Sequence, residues 1–300
     1  MPIGAIATTG VAATVLLAQA SAVPQVIGAD GVLCDLTRTI AGPAARVSCV
    51  VEAGQDPHGL QLRPSQRADL AAARLVLING FNLTPALKGI NTQSPVIAVG
   101  EEVLAVNPSQ DPHLWHDPMQ VVAMAGVVAS KLESATDSSA NAGIAQREQN
   151  AVAVLKDLDR WAAAQISTVP PQQRVLVSKH RAFGFLAKRY GIKELPVMDS
   201  FATGGALRPS SLRKITQAIQ SSGTRAIFSE SLPPSKALRR ISRSAGIPIA
   251  PQPLVADGLA PGQNLVATAT GNICTFVNAQ GGQCDTTQAN TLSERWAALP

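Results

Sequence analysis

Aromatic side chains are scarce: one tyrosine, three tryptophans and six phenylalanines in 300 residues. Nucleic-acid binders stack bases on such rings and cluster their cations. Here the lysines and arginines look scattered along the chain and the net charge is only +5, so no nucleic-acid partner is expected. Charged residues make up 15% of the chain, too few for self-repulsion to keep it unfolded, while an apolar content of 46% is enough for a packed core. Nothing approaches the roughly 20 mainly apolar residues of a membrane-spanning helix. Basic residues are missing before Arg38 and acidic ones before Asp30. The short apolar run Val11 to Ala18, followed by Ala20-Ser21-Ala22 and Pro24, nevertheless reads as the apolar segment and cleavage site of a secretory signal without its positive leader. Residues 1–22 are therefore expected to be lost on export, leaving a periplasmic or otherwise exported protein. With no cysteine close behind the run, a lipid anchor is not expected.

Cysteine is limited to Cys34, Cys49, Cys274 and Cys284, with no Cys-x-x-Cys spacing, which argues against a thiolate metal site. An even count in an exported chain favours disulfides. Of the three possible connectivities, the local pairs Cys34–Cys49 and Cys274–Cys284 are preferred.

Histidine is scarce, yet three of its four occurrences lie in or beside one repeated motif. The chain has four: His58, His113, His116 and His180. Gln55-Asp56-Pro57-His58 is echoed by Gln110-Asp111-Pro112-His113, which continues Leu114-Trp115-His116-Asp117-Pro118. Imidazole is a common ligand for borderline transition metals. A proline immediately before each histidine stiffens the approach, so less entropy is lost when the ring is fixed. Asp56 and Asp111 are placed to cap a turn or to bond a ring nitrogen.

Short β-like runs alternate with helical ones. Strands are expected at Val26 to Ala29, Val47 to Val51, Leu75 to Ile78, Val96 to Val99, Val175 to Val177, Leu195 to Met198, Ala226 to Phe228 and Ile247 to Leu254. Helices are expected between them, with the last over Gly262 to about Val277. This order predicts an α/β fold: two lobes of mostly parallel sheet with helices on both faces. A long helical pattern, Ala142 to about Ile166, separates the halves. The expected division is an N-terminal α/β lobe over 23–137, a linking long helix within 138–170 and a C-terminal α/β lobe over 171–300.

Ligands of such sheets bind beyond the carboxyl ends of the strands. His58, His113, His180 and Asp257 each fall on a loop leaving a strand, two from each half. Three imidazoles and a carboxylate converging in a cleft between lobes would make a tetrahedral N/O site suited to Zn2+. Each residue has an ordinary alternative: His180 alone has little local context, and Asp257-Gly258 also reads as a turn. His116 could reach the same metal if its stretch is helical, but packing beside Trp115 is the preferred reading. Glu230 could support the site or simply end a strand.

These stretches resemble the exported metal-binding proteins of ABC importers for zinc and manganese. The resemblance is carried by the two Asp-Pro-His motifs with Pro64-Ser65, by His180-Arg181-Ala182-Phe183-Gly184-Phe185 and Arg189-Tyr190-Gly191, by Ala226-Ile227-Phe228-Ser229-Glu230 with Lys236, and by Ala256-Asp257-Gly258-Leu259. It spans about residues 25 to 286. It implies a metal held between two lobes joined by one long helix, with His58, His113, His180 and Asp257 at the ligand positions. A third imidazole at His180 shifts the implied cargo toward Zn2+ over the alternative Mn2+. The implied role is that of a monomer delivering metal to a membrane permease, with no catalysis. The cysteines and Val32 to Thr37 are similar to cyanobacterial members. Leu60-Gln61, Gln66 and Arg181 depart from the family pattern around otherwise intact ligand positions. The rivals are a zinc hydrolase, with Glu230 or Asp257 as base to an activated water, and a metal-binding surface adhesin.

Overall fold

A computed structural model of the chain describes residues 22–107, 109–203 and 209–299. All but the last residue of the expected signal segment lies outside them. The first half runs β1 (Gln25–Gly28), α1 (Gly31–Ala41), β2 (Arg46–Cys49), α2 (Pro64–Ala72), β3 (Leu75–Ile78), β4 (Val96–Ala98), α3 (Val99–Val103) and α4 (Pro118–Ala135). Its sheet has the order β2-β1-β3-β4 with every pair parallel. Parallel strands covered on both faces need apolar residues at successive positions. Accordingly Val26 and Ile27, and Leu75, Val76 and Leu77, are all buried. Alternate residues serve different cores: Val26, Leu75 and Leu77 face the main apolar cluster, while Ile27 and Val76 face a smaller one with Leu70 of α2. At the end of β1, a Cβ on Gly28 would lie 2.6 Å from the Cα of Cys34, so α1 can sit this close only over glycine.

The second half follows α5 (Asn141–Ser167) with β5 (Val175–Leu176), α6 (Gly184–Tyr190), β6 (Lys193–Glu194), α7 (Pro209–Gln220), α8 (Lys236–Ala245), α9 (Leu265–Ala279) and α10 (Thr286–Ala297). β5 and β6 pair in parallel, and isolated parallel bridges link His180 to Met198, Val177 to Ile227, and Ile227 to Ile249. The lateral order is again second, first, third, fourth, so the two lobes repeat one topology. The strands expected at Leu195 to Met198, Ala226 to Phe228 and Ile247 to Leu254 are thus reduced to single bridges at Met198, Ile227 and Ile249, and β6 lies just before the first of them. Pro196, Pro248, Pro251 and Pro253 carry no N–H and interrupt the ladder. Bonds survive where a donor exists, as from Ile227 N to Pro248 O at 2.9 Å and Ala250 N to Ile227 O at 2.8 Å.

α5 has 27 residues, about 40 Å at 1.5 Å per residue. Its buried stripe of Ile144, Ala151, Leu155, Leu158 and Ala162 has helical spacing. It packs on α1 and α4 of the first lobe and on α9 and α10 of the second. The main apolar cluster accordingly passes without a break from one lobe to the other. Two side-chain clamps add to it. Arg147 on α5 donates to the carbonyls of Ile40 and Ala41 at 2.8 Å each, closing the end of α1. Asp159 on α5 accepts from Arg189 Nε at 2.9 Å, Arg189 Nη2 at 2.6 Å and Tyr190 Oη at 2.9 Å, tying down α6. α9 begins at Leu265 rather than Gly262, because Asn264 caps it by accepting from Ala267 N at 2.8 Å. α10 was not expected from the sequence. Its Ala289, Leu292 and Trp296 form a short buried stripe, and Trp296 Nε1 donates to Asp35 of α1 at 2.8 Å.

Both local disulfides are present: Cys34–Cys49 joins α1 to the end of β2, and Cys274–Cys284 joins α9 to the turn before α10. Closing loops of this span contributes about 3 kcal/mol each in the chain-entropy model. Among the described residues, no helix is long and apolar enough to cross a membrane.

Asp30 caps α1 by accepting from Leu33 N at 2.9 Å, yet its other carboxyl oxygen is buried without a partner. Burial, only partly offset by the backbone amides it faces, pushes this carboxyl up to about 6. The folded chain therefore keeps a proton between about pH 4 and 6 that the unfolded chain releases, and stability falls as pH rises through that window. Asp30→Asn keeps a cap acceptor but cannot ionise. Its stability relative to the parent, measured by urea unfolding, is expected to improve by about 3 kcal/mol from pH 4 to pH 7. A difference that does not change with pH would refute this account.

Candidate metal centre

Four loops at the carboxyl ends of the two sheets supply the site. The first follows β2. Asp56 Oδ1 accepts from His58 N at 2.8 Å, and this aspartate turn sets the direction of the His58 side chain. The residue does a second job across the cleft, where its other oxygen accepts from Thr203 Oγ1. Gln66, at a position where the sequence departs from the family pattern, anchors the same loop. Its carbonyl accepts from Arg63 N at 2.8 Å and its amide donates to Val50 O at 2.7 Å.

The second loop follows β4 and α3. Asp111 Oδ1 accepts from both His113 N at 3.0 Å and His113 Nδ1 at 2.8 Å. Asn79, at the end of β3, donates to Pro112 O at 2.7 Å and pins the loop from below. The third loop follows β5. Glu230, brought in from the adjacent track of the sheet, accepts from His180 N at 3.0 Å and from His180 Nδ1 at 2.8 Å. The fourth loop carries Asp257. Gly258 turns it with φ +76°, and Asn272 of α9 bonds both N and O of Val255 at 2.8 Å.

His58, His113, His180 and Asp257 each offer one donor atom, and these atoms all lie within 4.8 Å of one another. Asp257 Oδ1 stands 3.1 Å from His58 Nε2, 3.2 Å from His113 Nε2 and 3.7 Å from His180 Nε2. At that last distance His180 Nε2 makes no hydrogen bond, and it is buried without a partner. An orphaned ring nitrogen aimed at a shared carboxylate costs free energy unless something else occupies its lone pair or takes its proton.

The electrostatics are those of a buried acid–base cluster. Burial works against a charged Asp257, but its hydrogen bonds with His113 and His58 and the nearby His180 ring outweigh it and hold the carboxyl well below the usual range. Burial likewise works against charging His180, yet Asp257 and Glu230 raise it to about 10. His113 is raised in the same way by Asp111 and Asp257. Each of these two rings faces a carboxylate at both nitrogens. Holding Nδ1–H on the outer carboxylate leaves Nε2 as the nitrogen turned toward Asp257. Three Nε2 atoms and one carboxylate oxygen form a closed N/O donor set of the kind that suits a tetrahedral metal.

The other two residues of interest are turned elsewhere. His116 does not join the converging donors. Its Nε2–H donates to Ala256 O at 2.9 Å, and its ring lies on Phe183 with centroids 4.6 Å apart. Burial pushes it down to about 4, so it stays neutral and steadies the backbone one residue before Asp257. Glu230 stands behind His180, on the Nδ1 side, and not among the four. Sequence reasoning missed Asn79, Asn272 and Thr203. Only Asn79 carried a signal, as a polar residue closing an apolar strand. A cavity of about 610 Å3 reaches the flank of Asp111 between the lobes, lined also by Asp117, Arg181, Gly184, Arg189 and Glu194. Arg181, the departure beside His180, is ion-paired there with Asp199.

Known proteins share this arrangement of chain. The chain is 26% identical over 233 residues to the iron-binding protein YfeA of Yersinia pestis, covering 74% of each. It is 24% identical over 235 residues to the manganese-binding lipoprotein MntA of Halalkalibacterium halodurans, covering 75% of this chain and 77% of that one. The solved structure of the periplasmic zinc binding protein TroA from Treponema pallidum superposes with a TM-score of 0.79 at 24% identity, over 86% of this chain and 99% of that one. The family profile of the zinc-uptake complex component A, periplasmic, matches residues 26–279. That family consists of transport components and not of enzymes, which removes the hydrolase reading. With two parallel lobes, a shared long helix and donors at the sheet ends, the chain belongs to the family of periplasmic metal-binding components of ABC uptake systems.

Proposed function

We propose that the protein captures Zn2+ outside the cytoplasm through His58, His113, His180 and Asp257, and hands it as cargo to the permease of an ABC importer. The observation that carries this reading is the convergence of three imidazole nitrogens and one carboxylate oxygen within 4.8 Å. The choice of zinc rests on the donors. Relatives are named for manganese, iron and zinc, so family membership leaves the cargo open, but a nitrogen-rich set suits zinc better than the harder manganese ion. Asp111 and Glu230 support the same choice, because a carboxylate on each Nδ1–H makes Nε2 a better donor.

Charge gives the reason for capture. Asp257, Asp111 and Glu230 place three carboxylates around three rings in a nearly dry cleft. Protons offset that charge when no cation is bound, and a dication offsets it with better geometry. The frame is stiff, since α5 and one continuous core join the lobes. Release on the permease is therefore assigned to the loops, above all the His58 loop, whose Asp56 is held to Thr203 across the cleft.

Purified protein is expected to co-purify with zinc by elemental analysis and to prefer zinc over manganese in competition against a chelating dye. Equal or tighter manganese binding would reassign the cargo. In the same titration His113→Ala is expected to lose more than the roughly 100-fold reached by removing outer partners of a ligand. An unchanged affinity would remove this residue from the site. Gly184 offers a subtler check, because a Cβ there would come within 2.9 Å of Asp111 Oδ2. Gly184→Ala should displace the carboxylate that orients His113 and weaken zinc binding about 10-fold or more. Wild-type affinity in a folded Gly184→Ala variant would show that Asp111 does not set the ring.

A further inference from the structure

The cations that look scattered along the sequence are concentrated in the fold. Residues 209–245 hold seven lysines and arginines against one carboxylate, Glu230, while the rest of the chain has 18 cations against 19 acids. That single acid is turned inward onto His180. Six of the seven cations lie on two neighbouring helices: Arg213 and Lys214 on α7, and Lys236, Arg239, Arg240 and Arg243 on α8. All but Arg239 are exposed. Among the described residues none of the six forms an ion pair, whereas arginines elsewhere, such as Arg181, Arg189 and Arg295, do.

Packing sets the direction of this charge. Leu212, Ile215 and Ile219 of α7, with Leu238 and Ile241 of α8, bury against Val175, Val177 and Ile227 on the outer face of the second sheet. The polar faces of both helices therefore point away from the sheet. The opposite face of that sheet, with Leu176, Ala226 and Phe228, belongs to the core shared with α5 and α9. A groove of about 410 Å3 runs between α7 and α8, and Arg213, Thr216, Gln217, Arg240 and Ser244 line it. Leu232, 58% exposed, stands on the loop leading into α8.

We propose that this face docks on an anionic phospholipid surface. Five exposed cations without an ion-pair partner on adjacent helices need an anionic counterpart as broad as the pair of helices, and a plane of phosphate headgroups supplies one. The groove places two guanidinium groups with hydroxyl and amide donors around a space fit for one phosphate-bearing headgroup. Arg239 donates to Pro234 O, but among the described residues no hydrogen bond or ion pair holds Lys214, Lys236 or Arg243 in a set direction, which matches fluid headgroups better than the fixed carboxylates of a folded protein. Leu232 supplies an apolar side chain at the edge. Docking in this way would keep the protein in the layer where a membrane permease is met, and it does not depend on which metal is bound.

The test is co-sedimentation of the full chain with phosphatidylcholine vesicles, with and without about one-third phosphatidylglycerol, at low salt and at roughly 0.5 M salt, where screening reduces the Debye length to a few ångströms. Binding is expected to the anionic vesicles only, and to be lost at high salt. The variant Arg213→Glu/Arg240→Glu/Arg243→Glu should bind at least about tenfold less, with its metal titration unchanged as the control for folding. Reversing three exposed arginines of the other lobe, Arg46→Glu/Arg67→Glu/Arg74→Glu, should leave most binding intact. Should the first variant not fold, Arg240→Gln alone must still reduce binding. Equal binding to both vesicle types, or equal loss in the two triple variants, would overturn the proposal. So would binding to soluble poly-glutamate without binding to vesicles, which would assign the face to an acidic protein.

Discussion

One carboxylate oxygen, Asp257 Oδ1, faces three buried imidazole nitrogens from the other three loops of the site. This convergence constrains the rest of the molecule. A buried carboxylate is tolerated only with matching positive charge or hydrogen bonds, so the loops must arrive together or not at all. Each ring is steered from behind by its own anchor: Asp56 through the His58 amide, Asp111 through amide and ring, and Glu230 likewise through both.

The fold makes that convergence possible by repeating one sheet topology and placing both sets of strand ends along one cleft. α5 holds the two copies together by lending its stripe to both. Within each sheet, alternate side chains serve opposite faces, so a single strand supports both the shared core and an outer layer. The outer layer of the second sheet is where the cations collect. It is chemically separate from the site: one face of that sheet builds the apolar frame for capture, while the other presents charge to the surroundings.

Much of this was legible in the chain. The repeated Asp-Pro-His tripeptide marked His58 and His113, and strand-exit positions placed His180 and Asp257 with them. The length of the Ala142 to Ile166 pattern identified the linking helix within a residue or so at each end. The failures have local causes. Proline-containing strands lost their ladders, because a period of two in side chains says nothing about missing N–H groups. α10 escaped notice because its stripe is short and mostly polar residues surround it.

The sequence by itself determined which atoms are available: three imidazoles, their stiff proline-led turns, the apolar periods that become strands and helices, and cysteines near enough to pair locally. These follow from chemistry within a few residues along the chain. Tertiary structure alone decided that Glu230 stands behind His180, that His116 turns to Ala256 O, that Asn79 and Asn272 pin two of the loops, and that cations on α7 and α8 share one face. Each of these depends on which loops and helices meet when the sheets pack, and no spacing along the chain encodes a contact between residues that approach only through a shared core.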